Sequence, residues 1–277
     1  MKNLNNHKII IDADKRKLKL QLRELVQYKD LFSTLAFREF RVRYAQTFLG
    51  FFWAFLQPAA TLIIFTFIFG RAIKVDTGDL PYPVFALTGM TAWSFFAYVV
   101  SQAGKSIINE QNMIKKIYFP RLMIPLSKAV VGFIDFGITF LLLIIMMLFY
   151  GVSPSLNILW LPLFILIVII ASLTFGIWIS ALTIRYRDFQ HIIPFIIQIG
   201  LYATPVAYST LYIPEKYHLI YYCLNPMAGV VEGFRWCIVG QGAIQPYTFI
   251  SFGILLILFV SSLFYFRKVE RVMADII

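Results

Sequence analysis

Hydrophobic residues in this chain come in blocks. Six of them, at about 48–70, 82–104, 122–150, 158–183, 190–208 and 244–266, are long and almost free of charge. A helix that crosses a bilayer needs roughly 20 predominantly apolar residues, because its backbone must satisfy its own hydrogen bonds in lipid. The pattern predicts an all-α integral membrane protein with six transmembrane helices over 48–266. The fifth block is short, begins with a histidine and contains Pro194 and Pro205, so it is the least regular of the six.

The segments between the blocks carry their own patterns. Residues 1–17 are polar and are expected to form a mobile tail. Leu18, Leu22, Leu25, Leu31, Phe32 and Leu35 then recur at helical spacing, with Arg23, Lys29 and Asp30 on the other side. Over 18–47 this fits an amphipathic helix in the headgroup plane, or one packed on a partner protein, and the two readings are compatible. In the 105–128 connection, Pro120 and Pro125 break the chain. A helical turn at about 109–118 could stand out from the membrane there, or the stretch could be an ordinary basic loop. Segment 209–243 is apolar and aromatic but interrupted by Pro214, Asn225-Pro226, Gly229 and Gly233. It predicts two short re-entrant helices dipping into the outer leaflet, on which Glu232 and Arg235, three apart, can pair.

Composition supports the membrane class: 60% of residues are hydrophobic and 14% charged, against roughly 25% charged in soluble domains. A net charge of +11 in a soluble protein would suggest nucleic acid. Here residues 1–47, 105–128, 185–187 and the tail after 266 hold 21 of the Lys and Arg, and the alternate connections hold 4. By the positive-inside rule both termini face the cytoplasm, and the basic excess is an orientation signal. No cleavable signal peptide is expected, since the long charged N-terminus lacks an early apolar core. Cys223 and Cys237 both fall in the outward-facing 209–243 segment, where a disulfide is permitted but not required.

Candidate chemistry is sparse. Gly104-Lys105-Ser106 matches the tail of a phosphate-binding loop, but Val99 stands where the first glycine is required, at the end of a long apolar run. The tripeptide reads as a helix end. Arg38, Arg41 and Arg43 precede Tyr44, Phe48, Phe51, Phe52, Trp53 and Phe55. These aromatics form either an interfacial belt or a ladder along about 18 Å on which a polymer could stack. Asp135 lies deep in the third block, for structural pairing with another span or for transport; Lys128, seven residues earlier on a helix, is too far for direct contact. His7, His191 and His218 are scattered, no two carboxylates share a block, and no metal site is apparent. That argues against a membrane-embedded transferase, and Asp135 alone argues against a secondary transporter.

Five stretches together resemble one family: "FREFRVRYAQTFLGFFWAFLQP", "IKKIYFPRLMIP", "IRYRDFQHIIPFIIQIGLYATPVAYS", "LNPMAGVVEGFRW" and "YFRKVERVMADII". In this order around six spans, over about 25–277, they resemble the transmembrane subunit of type 2 ABC exporters of lipid-linked polysaccharides, the O-antigen, capsule and teichoic-acid permeases. The resemblance implies a homodimeric channel in the bacterial inner membrane, resting on two copies of a separate ATP-binding subunit. ATP and magnesium would sit on that partner, with no cofactor on this chain and no catalytic residue. It further implies an interface helix around 25–43 and a coupling helix at about 109–119 with Asn112, Lys115, Lys116 and Tyr118. Paired outer gate helices would occupy about 212–239, with Asn225, Pro226, Glu232 and Arg235. Residues 267–277 would form a cytoplasmic tail. The first and fifth spans would wall the channel, with Tyr44, Phe48, Phe52, Trp53, Gln198, Tyr202 and Tyr208 along the sugar path. Arg38, Arg41, Arg43, Arg185 and Arg187 would receive a polyprenyl diphosphate at the cytoplasmic rim. A drug or small-lipid exporter of the same architecture is the rival reading.

Overall fold

The computed structural model describes residues 22–44 and 52–276; among them the chain is helical, with no strand. The expected tail 1–17, Leu18, Phe48 and Phe51 lie outside the described residues. Two helices, α1 (Leu22–Gln27) and α2 (Lys29–Tyr44), precede the first apolar block. Leu35 and Ala36 are buried and Leu25, Tyr28 and Leu31 pack on the core. The predicted apolar face thus turns inward, with α2 lying along α6 (Met123–Tyr150). Phe37, and beyond the buried turn Phe40 and Val42, are exposed.

Among the described residues, five helices are long and apolar enough to cross a membrane. They are α3 (Phe52–Phe65) with its π-helical continuation Thr66–Ala72, α4 (Tyr82–Asn109), α6, α7 (Leu161–Arg185) entered through a 3-10 turn, and α11 (Pro246–Ile276). The expected fifth span over 190–208 is instead α8 (Phe189–Ala203), 15 residues long. At 1.5 Å per residue that is about 22 Å, short of the roughly 30 Å hydrocarbon layer. Proline is the reason: Thr204 precedes Pro205 and is held extended, at ψ 143°, because the pyrrolidine ring excludes the helical conformation from the residue before it.

The expected turn at 109–118 contracts to α5 (Gln111–Ile114), which has no buried residue. Two short helices form within 209–243, α9 (His218–Leu224) and α10 (Pro226–Val239). Pro226 opens α10 at a position where its missing N–H has no intrahelical acceptor to lose. The expected tail 267–277 is no separate element, since α11 runs unbroken to Ile276.

α4 is the axle of the helix bundle, packed against α6, α7, α8 and α10, while α7 packs on α11. Small residues let the crossings close, since lipid supplies no hydrophobic drive between helices. A Cβ on Gly176 would stand 2.9 Å from that of Ala103, and one on Gly200 would stand 2.7 Å from the Trp93 ring. Gly104 belongs to the same set: a Cβ there would meet Ile193 at 2.7 Å and Ile179 at 2.9 Å. Gly104-Lys105-Ser106 therefore sits in the last turns of α4, where α7 and α8 cross it. Ser106 donates to the Ala103 carbonyl, as Thr91 does to Leu87 and Thr183 to Ile179. These hydroxyls are thus satisfied by their own helix, whereas those of Thr66, Ser180 and Ser251 are buried without a partner among the described residues.

Candidate functional site

The end of the bundle that carries the basic segments is built around α2. Arg38 pairs with Glu110, just ahead of α5, and lies 3.5 Å from Glu39. Lys128 of α6, only 4% exposed, holds Glu39 at 2.5 Å. Arg43 donates to Asp135 at 2.6 Å and stacks 4.3 Å from the Tyr98 ring. Tyr44 donates to the other Asp135 oxygen at 2.5 Å. Burial, and then its bond to the Asp135 carboxylate, push the Tyr44 hydroxyl up to about 12. The structural partner of Asp135 is thus α2, not another span. Lys128 pairs with Glu39 and not with Asp135, as their spacing on α6 requires.

This redistributes the five candidate arginines. Arg38 and Arg43 are committed to carboxylates, and the Tyr44 hydroxyl is likewise engaged. Arg41, Arg185 and Arg187 are exposed, and among the described residues no carboxylate pairs with them. Arg41 lies over Phe37 at 4.9 Å, and Arg185 over Tyr186 at 5.5 Å.

The connection between α4 and α6 presents Asn112, Lys115, Lys116 and Tyr118 as exposed side chains. A cavity of about 260 Å3 is lined by Ile114–Phe119 together with Arg121. Arg121 donates to the Glu270 carbonyl at 2.8 Å, and its own N–H reaches the Glu270 carboxylate at 3.2 Å. Burial and the charges of Glu24 and Glu270 push the Tyr118 hydroxyl up, so α1 and α11 both come close to this connection.

α3 and α8 show the widest exposed faces. Phe52 and Trp53 are exposed, as is Gln57 one turn on. On α8 the exposed His191, Phe195, Gln198 and Tyr202 fall at i, i+4, i+7 and i+11, a single face. Gln57, His191 and Phe195 were missed as site candidates. An amide inside an apolar block and the helical spacing of polar or aromatic residues on α8 were the signals for them.

At the opposite end, α9 and α10 strap the turn that follows α8. Arg235, 4% exposed, donates to the Val206 carbonyl at 2.6 Å and sits 3.7 Å from the Phe85 ring centre. It also reaches the Tyr208 and Phe85 carbonyls at 3.4 Å each. Glu232 accepts from Thr210 and Tyr222. The predicted Glu232–Arg235 pair is therefore not formed, because each side chain is taken by the 204–210 turn or by α9. Asn225 donates to the Ala203 carbonyl at 3.2 Å and to Thr204 at 3.0 Å. Tyr221 and Tyr208 donate to the same Ala203 carbonyl at 2.8 and 3.1 Å, which turns the Tyr208 hydroxyl onto backbone. Cys223 and Cys237 are free thiols.

Long apolar helices about a buried axle, and polar faces left open on two of the outer ones, define a multi-pass membrane protein. The chain matches the family described as ABC-2 type transporter over residues 30–239, and it belongs to that family. It is 30% identical over 249 residues to the O-antigen export system permease protein RfbA of Klebsiella pneumoniae, covering 90% of this chain and 95% of the relative. A protein of the same name from Myxococcus xanthus is 27% identical over 215 residues, covering 77% and 82%. The polysialic acid transport protein KpsM of Escherichia coli is 25% identical over 199 residues, covering 72% and 77%.

Proposed function

We propose that this chain is the permease subunit of an ABC exporter that carries a polyprenyl-diphosphate-linked polysaccharide, of the O-antigen kind, across the inner membrane. Its relatives are named for O-antigen export and polysialic acid transport, which supports this cargo over a drug or small lipid. The carrying observation is the α8 face of His191, Phe195, Gln198 and Tyr202, exposed in the protomer. An amide pointing into hydrocarbon costs several kcal/mol, so Gln198 faces water or protein. Two copies related by symmetry, with α3 and α8 walling a passage, supply that environment. In this arrangement α8 and the 204–210 turn make the fifth of six crossings, and both termini are cytoplasmic.

Each group then has a task. Arg41, Arg185 and Arg187 hold the diphosphate at the cytoplasmic rim, where guanidinium forks match phosphate oxygens. Phe52, Trp53 and Tyr202 offer ring faces to successive sugars, with Gln57 and Gln198 bonding their hydroxyls. Stacking tolerates varied sugars, and weak repeated contacts let a long chain slide. α5 with Lys115 and Lys116 docks on a separate ATPase subunit, which holds ATP and magnesium. The outer helices α9 and α10 gate the exit.

The test is reconstitution of this chain with its ATPase in lipid vesicles loaded with lipid-linked polysaccharide or with a small amphiphilic dye. ATP-dependent crossing of the polymer is expected, and Gln198→Leu with Tyr202→Ala should lower it about tenfold or more, the loss of one to two kcal/mol of contacts. A complex that moves the dye and leaves the polymer behind would refute the assignment.

A further inference from the structure

Three charged pairs fasten α2, and they lead to different places. Arg38 reaches Glu110, the residue that joins α4 to α5. Glu39 reaches Lys128 and Arg43 reaches Asp135, both on α6. The side chains of Glu110, Lys128 and Asp135 are 13%, 5% and 13% exposed, against 42% for Arg38 and 32% for Arg43, so screening by water and salt is weakest at Glu39–Lys128 and partial at the other two pairs. On α2 the three residues span five positions, about 7.5 Å along the axis. One short rigid stretch therefore grips the cytoplasmic connection at one end and the buried interior of α6 at the other.

The connection itself is poorly anchored. α5 buries no residue, and its flanks are fixed by Arg38 on Glu110 before it and by Arg121 on Glu270 after it. A push on α5 thus arrives first at these two clamps. α4, the covalent continuation, is locked in the core along most of its length. α2 is the element with an exposed outer side that can shift.

We propose that α2 is the transmission element of the transporter. The Arg38–Glu110 pair receives the displacement of α5, and the Glu39–Lys128 and Arg43–Asp135 pairs deliver it to α6. These six are positioning residues: they touch neither polymer nor nucleotide, and they set how much polymer moves per ATP hydrolysed. The inference rests on the reading of α5 as the docking point of an ATPase.

The test uses the complete transporter in lipid vesicles, with Arg38→Glu, Glu110→Arg and the two combined, and in parallel Glu39→Lys, Lys128→Glu and their combination. Bound ATPase, ATP hydrolysis and exported polymer are read from one preparation. Each single variant should keep its ATPase and hydrolyse at near the parental rate, yet export about tenfold less polymer per ATP, a usual size of coupling between sites. Each charge swap should recover most of that ratio. A purely structural role would lower hydrolysis and export together, leaving the ratio unchanged, and that result overturns the proposal. Single variants with an unchanged ratio, or swaps without recovery, overturn it as well. Where charge reversal depletes the protein, Arg38→Gln and Lys128→Gln give the same comparison per folded complex. An unaltered chain that recruits no ATPase would end the docking reading itself, and this one with it; recruitment without uncoupling ends only this one.

Discussion

Replacing Glu39 with glutamine strands a buried cation. Lys128 is 4% exposed and its ammonium lies 2.5 Å from the Glu39 carboxylate. Removing one partner of a fully buried pair costs about 3–5 kcal/mol, because the charge left behind has lost both water and counter-ion. The Glu39 side chain is 20% exposed, which places Glu39→Gln toward the lower end, about 3 kcal/mol. Lys128→Met should be milder, about 1–2 kcal/mol, since the carboxylate it leaves behind keeps Arg38 at 3.5 Å and some water. The double variant should cost less than the sum by about 2 kcal/mol, the coupling of a contacting pair. Thermal unfolding of the purified protein in one detergent reads this directly. A loss of 1 kcal/mol lowers Tm by roughly 2–4 °C in chains of 150–250 residues, so Glu39→Gln should lower it by about 6–12 °C. Additive singles, or a Lys128→Met variant less stable than Glu39→Gln, would refute the reasoning.

Gly233→Ala should destabilise by about 1–3 kcal/mol or more, because a Cβ there would stand 1.8 Å from the buried Phe164 ring; Phe164→Leu should relieve it, as melting curves of the two variants together will show. Arg41→Ala should lower polymer export about tenfold at unchanged Tm, the worth of one charge-assisted bond. Arg43→Ala should in addition lower Tm, because Asp135 then loses its cation. Charge reversal at Lys115 and Lys116 should reduce capture of the ATPase subunit in a pull-down by about tenfold, roughly 1.4 kcal/mol, without shifting the Tm of the permease. A thiol-reactive maleimide should label Cys223 well before Cys237, which is fully buried, and reduction should change neither the labelling nor the mobility on a gel.

The membrane class and most helices were legible in the sequence because lipid imposes one rule on every spanning segment: long, apolar and internally bonded. The break at Asn225-Pro226 and the two short helices on either side of it were legible for a similar reason, since proline and asparagine punctuate locally. The end of α8 was not read correctly, although Pro205 was visible; an apolar count runs through Thr204–Tyr208, while the backbone cannot. Side-chain partners were the hardest part. Asp135 announces a partner but does not say that it comes from residue 43, and Lys128 shows no sign of its tie to Glu39. Glu232 and Arg235 stand at pairing distance along a helix, yet the unbonded hydroxyls and carbonyls of a neighbouring turn compete better for both. Pairings between distant segments depend on the packing of the whole bundle, which helical spacing along one segment does not encode.

The turn after α8 also limits how such proteins can be recombined. Its carbonyls at Ala203, Val206 and Tyr208 draw their donors from Tyr221, Asn225 and Arg235, on segments that follow later in the chain. A hybrid that grafts α8 and its turn from a relative, to alter which polymer is accepted, would leave those oxygens dry and unanswered unless 221–235 travels with them. The natural cassette for exchange is thus about 189–239, cut where Arg185 ends one helix and Gly240 closes another.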